Sequence, residues 1–220
     1  MLSSGFAPAV LIGGWALGAS LQPTGYNAMV DSISALAAQG AVDSWLMTGA
    51  LFALGASYFT TAFGLRAAAT PGRVALACAG VASVLVALSP EPAGGTSLRH
   101  LVTTGIGFTL LALFPVLAAE SETSPVWALR PSTGYAVSAL MAAGAAWFLI
   151  ELHGHGAAGL AERILTGAQA SWPLIVVAAC LLAPASRHEL SPLRGVESVD
   201  GVRHRSEPMR SQCADYRWPR

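Results

Sequence analysis

Long apolar runs dominate the chain, and short polar segments separate them. Runs of about 18 or more apolar residues with few charges are typical of transmembrane helices. The pattern predicts six spans, with approximate bounds 6–21, 44–65, 73–88, 97–119, 132–152 and 160–184. We therefore predict an all-α membrane protein, a six-transmembrane-helix bundle.

The segment 22–43, between the first two spans, is too polar to lie in the membrane core. Asp31 suits the N-cap of a helix and Gly40 suits its end. Three apolar residues of this segment recur at helical spacing: Met29, Ile33 and Leu36. We predict a short helix on the outer membrane surface. Either Asp31 only caps it, or Asp31 and Ser34 point into a shared polar pocket.

Composition supports a membrane protein and argues against nucleic-acid binding. The 220 residues are 54% hydrophobic and 11% charged, with a formal net charge of zero. A soluble domain of this size carries more charge, and a nucleic-acid-binding domain is typically basic. The chain contains no Lys and much Ala, which suggests a GC-rich bacterial genome. Cys78, Cys180 and Cys213 suggest no disulfide framework.

The arginines are distributed unevenly between the two sides of the six-span pattern. One side carries Arg66, Arg73, Arg130 and the arginines that follow residue 186, whereas the other carries Arg99 and Arg163. The positive-inside rule makes the Arg-rich side cytoplasmic. We expect a multi-pass protein of the cytoplasmic membrane with both termini inside. Residues 1–186 would form the transmembrane domain, and 187–220, which lack apolar periodicity, a disordered cytoplasmic tail.

Ionisable groups gather at the predicted outer face. None falls in the middle of a span, which argues against ion pathways and proton relays. The candidate residues for a ligand pocket at this face are Asp31, Ser34, Arg99, His100, Glu151, His153 and Arg163. They could instead be interface charges that hold loops in register, or bind a metal. The metal interpretation is weak because no HExxH spacing is present, so we predict neither metal nor cofactor.

Three hypotheses for function follow. The first is a membrane protein of undetermined role whose outer polar pocket binds a lipid headgroup or small ligand. The second is an outer-face membrane hydrolase, with or without a metal, and the third is a small-molecule transporter. No nucleophile elbow, P-loop or dinucleotide fingerprint is present. The expected partners are the lipid bilayer and a lipid or small molecule, and not nucleic acid.

Three blocks of sequence carry a resemblance to a known family. They are LQPTGYNAMVDSISALAAQGAVDSWLMT, the SPEP segment followed by RH, and ELHGHG followed by GLAERI. Together they resemble the six-span bacterial membrane proteins called domain of unknown function 998. The likeness covers residues 9–185. It implies a compact helical bundle in the cytoplasmic membrane, and it brings no established activity or catalytic residue.

Overall fold

The computed structural model describes residues 2–93, 95 and 97–183, and within these residues all regular secondary structure is helical. Each of its six long helices is long and apolar enough to cross a membrane. They are α1 (Leu2–Ser20), α2 (Ser44–Gly64), α3 (Thr70–Ala87), α4 (Leu98–Leu117), α5 (Pro131–His153) and α6 (Ala158–Leu182). The predicted six-helix membrane fold is thus confirmed. The predicted tail and Cys213 lie outside the described residues.

Consecutive helices pack side by side, and α6 completes a ring by contacting α1 while also touching α4. Small residues permit the closest approaches. A Cβ added at Gly14 of α1 would lie 2.5 Å from the Cβ of Ala50 in α2. A Cβ at Gly55 or Gly80 would lie 2.7 Å from the other's carbonyl oxygen, so α2 and α3 meet backbone to backbone. Such small-residue contacts are a common way for membrane helices to pack.

The segment 21–43, which we call the connector, joins α1 to α2. It contains a four-residue 3-10 helix, Ser34–Ala37, where a longer surface helix beginning at Asp31 was predicted. The hydroxyl of Ser32 accepts the Ala35 N–H at 3.1 Å. Asp31 does not cap this helix, because Ile33 is at the N-cap and no side chain caps it. The apolar pattern has a different cause: Ile33 and Leu36 are buried in the core, whereas Met29 is half exposed.

The connector lies at the same end of the helices as two other segments, because successive spans alternate in direction. These are the loop 88–97 between α3 and α4 and the turn 154–157 between α5 and α6. We call this end the connector face. All seven site residues predicted from the sequence lie at this face.

Candidate functional site

The connector is bonded to the first turn of α6. The N–H groups of Gly159 and Leu160 donate to the carbonyl oxygens of Val30 at 3.1 Å and Met29 at 3.0 Å. The first amides of a helix have no acceptor within that helix. Here the connector supplies the acceptors, and residues far apart in sequence become neighbours.

Arg163, one turn further along α6, donates to three carbonyl oxygens and one hydroxyl. Its Nη1 lies 2.7 Å from the oxygen of Ala28, 2.9 Å from that of Asp31 and 2.8 Å from that of Gly159. Its Nη2 lies 2.5 Å from the Tyr26 hydroxyl. Burial raises the pKa of the Tyr26 phenol, although Arg163 acts in the opposite direction. Arg163 therefore holds the connector against α6 mainly through backbone oxygens.

Gly159 makes this close contact possible. A Cβ at this position would overlap the carbonyl oxygen of Asp31 and lie 2.7 Å from that of Ala28. Any side chain on residue 159 would therefore push the connector away from α6.

Glu162 is the buried charged side chain of the site. It is 4% exposed, and its Oε2 accepts the Ile33 N–H at 2.6 Å. Arg163 follows it in sequence but points toward the connector carbonyls. Within the described ranges, no basic side chain forms an ion pair with the Glu162 carboxylate. The carboxylate is thus held by a backbone amide alone.

A cavity of about 90 Å³ lies beneath the connector, between α1, α2, α3, α4 and α6. Its walls are mainly aliphatic, and Glu162, Ser34 and Tyr58 are among its lining residues. Gln169 also lines it, seven residues after Glu162, which is about 10 Å along a helix. The cavity therefore extends from the connector toward the middle of the bundle.

Two buried polar atoms that belong to cavity-lining residues have no hydrogen-bond partner among the described residues. They are the Oε1 of Gln169, a residue that is 1% exposed, and the hydroxyl of Thr104. The Gln169 amide nitrogen does have a partner, the carbonyl oxygen of Phe108 at 3.1 Å. Buried polar groups normally find partners in protein or water. Unpaired polar atoms around a cavity are therefore where a ligand or water would bind.

Ser34, which is partly buried, and His100, which is buried, form a hydrogen-bonded pair at the edge of this cavity. The His100 Nε2 lies 2.9 Å from the Ser34 Oγ, and its Nδ1 lies 2.9 Å from the Ser89 carbonyl oxygen. A carbonyl only accepts, so Nδ1 carries a proton, and in the singly protonated ring Nε2 accepts from the Ser34 hydroxyl. The Glu91 carboxylate lies 3.9 Å from Nε2. His100 thus joins the connector to the loop 88–97.

Of the seven predicted site residues, Ser34 and His100 meet directly, and Asp31 and Arg163 meet through the Asp31 backbone. The Asp31 carboxylate itself accepts the Asn27 N–H at 2.6 Å, within the connector. It does not line the cavity that Ser34 lines.

The other three predicted residues lie outside this group. Glu151 accepts the Trp147 indole N–H at 3.0 Å and the Ala157 N–H at 2.7 Å, which closes the turn between α5 and α6. His153 is exposed and contacts the Leu149 carbonyl oxygen, and Arg99 is exposed. In the part of the chain that the structure describes, no three His, Cys, Asp or Glu side chains are placed to hold a metal ion.

Sequence reasoning missed Glu162 and Gln169 as site residues. Glu162 stands beside Arg163 near a predicted span end, where charges usually reach the interface. The signal that could have found it is the spacing of Glu162, Thr166 and Gln169, at i, i+4 and i+7, which places three polar side chains on one face of a membrane helix.

The comparisons with known proteins identify a family whose function is unknown. The family model described as protein of unknown function (DUF998) matches residues 6–180. No curated protein and no solved structure matches the chain.

Proposed function

The chain belongs to the DUF998 family, which is typically a membrane family, and we propose that it binds a compact amphiphile beneath the connector. The cavity carries this proposal: aliphatic walls surround a few convergent polar groups, the usual composition of a small-molecule site. The ligand's polar head would lie near Glu162 and Gln169, and its apolar part against the walls. A volume of about 90 Å³ suits a short-chain molecule or one segment of a lipid.

We test this proposal with 1-hexanol, a short amphiphile, and the purified protein in detergent. Hexanol should raise the melting temperature of the native protein. Ala82 lines the cavity and is 4% exposed, so Ala82→Leu should fill the space and abolish the rise. Val81, the neighbouring residue, is 49% exposed, so Val81→Leu is a matched control that should keep the rise. An equal rise in Ala82→Leu would overturn the proposal.

The proposed orientation puts the connector face outside the cytoplasm, in the cytoplasmic membrane, with both termini inside. The distribution of arginines supports it, because arginines concentrate on the cytoplasmic side of membrane proteins. In a variant without native cysteines, Ala93→Cys on the connector face should react with a membrane-impermeant maleimide in intact cells. Ala67→Cys, at the other end of α2, should react only after permeabilisation. The reverse result would invert the orientation.

A second candidate function is hydrolysis of an ester by Ser34, supported by its hydrogen bond to His100. A serine hydroxyl bonded to a histidine whose other nitrogen is held by an acceptor has the arrangement of a nucleophile and its general base. The test is labelling with a fluorophosphonate, which reacts with activated serines. Labelling of the native protein and of Ser32→Ala, but not of Ser34→Ala or His100→Ala, would support hydrolysis. No labelling would remove this candidate.

A further inference from the structure

Glu162 is a carboxyl group in a membrane-spanning helix for which the described structure shows no cationic partner. Charged side chains inside membrane proteins are usually paired or functional, because burying an isolated charge is costly. One hydrogen bond from the Ile33 N–H does not neutralise a carboxylate. The group therefore needs either a proton or an external cation.

The charged side chains near Glu162 all form contacts with other groups. Arg163 on the same helix donates to connector carbonyls, and His100 on α4 is bonded to Ser34 and the Ser89 carbonyl. Asp31 in the connector turns its carboxylate toward the Asn27 N–H. Glu91, in the loop 88–97, lies 3.9 Å from the His100 ring. These contacts leave Glu162 without a fixed counter-ion.

The helices around the cavity do not supply a counter-ion for Glu162 either. The lining residues of α1 and α3 include no titratable side chain, and α2 contributes only the neutral phenol of Tyr58. No residue of α5 is among the lining residues, and its Glu151 closes the turn 154–157. Within the described residues Arg163 acts on Glu162 only at a distance, so a ligand would supply the direct ion pair that the described side chains do not.

The remaining polar groups of the cavity also favour a ligand that donates hydrogen bonds. Gln169 presents an unpaired carbonyl oxygen, and the Thr104 and Tyr58 hydroxyls can accept as well as donate. An ammonium group has three donors and a full positive charge, which matches this acceptor-rich surrounding. An alkyl chain on that ammonium matches the aliphatic walls.

We propose that Glu162 is an exchange site that holds either a proton or an alkylammonium ion. In the ligand-free state at low pH the carboxyl carries the proton. The entering ammonium pairs with the carboxylate, and the proton leaves to the solvent, so charge at the site is balanced in both states. This inference rests on the proposed binding of an amphiphile in the cavity, and it adds the chemical class of the ligand head.

The probes are hexylamine and 1-hexanol, which have the same chain and differ in the charge of the head. Amines of this type are protonated throughout the pH range 5–9, because their pKa is close to that of Lys, about 10.4. Binding is measured by displacement of tritiated hexylamine or hexanol from immobilised, detergent-solubilised protein. Proton release is measured with a pH indicator in weak buffer.

Hexylamine should bind at least tenfold more tightly than hexanol at pH 8. Below the pH at which Glu162 takes up its proton, hexylamine affinity should fall about tenfold per pH unit, and one proton should be released per amine bound. Glu162→Gln keeps an acceptor for the Ile33 N–H, and it should reduce the affinity ratio of amine to alcohol to about one. Glu151→Gln, the matched control outside the cavity, should change neither affinity.

The outcomes separate the two proposals. If hexanol binds as well as hexylamine, or if Glu162→Gln keeps the preference for the amine, the exchange site is wrong while the binding cavity stands. If neither probe binds the native protein, both proposals fall. Should Glu162→Gln fail to fold, the pH dependence and proton release of the native protein still decide the matter.

Discussion

The connector and the turn between α5 and α6 lie at the same face, and both contain glycines and have an acidic residue in or beside them, yet they are built in different ways. The turn closes on itself, because Glu151 bonds residues four and six positions away. The connector is bonded to residues more than 120 positions away, through Arg163, Gly159 and Glu162. The connector covers the cavity, and no residue of the turn 154–157 is among its lining residues. A local concentration of ionisable residues is therefore a weaker sign of a site than contacts between distant segments.

Glu151, beside the turn, and Glu162, beneath the connector, differ in how completely their carboxylates are hydrogen-bonded. Glu151 has both carboxylate oxygens occupied by nearby N–H donors, the Trp147 indole in α5 and the Ala157 amide in the turn. Glu162 has a single N–H donor and faces a cavity. A satisfied carboxylate in a turn stabilises that turn, whereas an incompletely satisfied buried carboxylate is available for a ligand.

The largest effect that separates the two regions is expected for Gly159→Ala. The added Cβ would overlap the Asp31 carbonyl oxygen, so the connector must move away from α6. We expect a loss of more than about 2 kcal/mol of stability, as for an overpacked core site. The readouts are the melting temperature and the rate of proteolysis within the connector.

Gly167→Ala on the same helix is the matched control. Its Cβ would lie 3.6 Å from the Trp15 ring, an ordinary contact. Because Ala favours a helix over Gly by up to about 1 kcal/mol, this variant should be neutral or more stable. Equal effects of the two substitutions would show that the connector does not depend on contact with residue 159.

Much of the fold could be predicted because it follows from local sequence. The apolar runs fix six spans. The fourth was predicted to begin at residue 97, and there the Ser97 side chain accepts the His100 N–H as α4 begins. The conformation of the connector was harder to predict from the sequence. Its conformation follows from bonds to Gly159, Leu160 and Arg163, so a short amphipathic pattern was overridden by tertiary contacts.

The site was predictable only in part, for a similar reason. The residues grouped at one face included Ser34 and His100, which do bond to each other. Sequence position could not tell that Arg163 turns outward to the connector while the adjacent Glu162 turns inward to the cavity. Adjacent residues on a helix point about 100° apart, and only packing decides which of them is buried.

A smaller effect than that of Gly159→Ala is expected from Arg163→Met. Met retains much of the aliphatic length but none of the four hydrogen bonds to Tyr26, Ala28, Asp31 and Gly159. Hydrogen bonds to charged groups contribute about 1.5–3 kcal/mol, and one such contribution is the expected loss because bonds from one group are not additive. Glu151→Gln should cost less than about 1 kcal/mol and leave connector proteolysis unchanged. Faster connector cleavage in Glu151→Gln than in Arg163→Met would reverse the comparison between the regions.

The smallest effect is expected for Tyr26→Phe, which removes only the hydroxyl that accepts from Arg163. At pH 7 we expect a loss of about 1 kcal/mol, typical of one hydrogen bond. Because burial raises the pKa of Tyr26 above the ordinary value of 10.0, the folded state favours the neutral phenol. The advantage of the native protein is therefore complete below about pH 10 and declines as the pH rises through the folded pKa. Melting temperatures of both proteins between pH 7 and 11 measure this difference. A difference that grows with pH would mean that attraction between the phenolate and Arg163 outweighs burial.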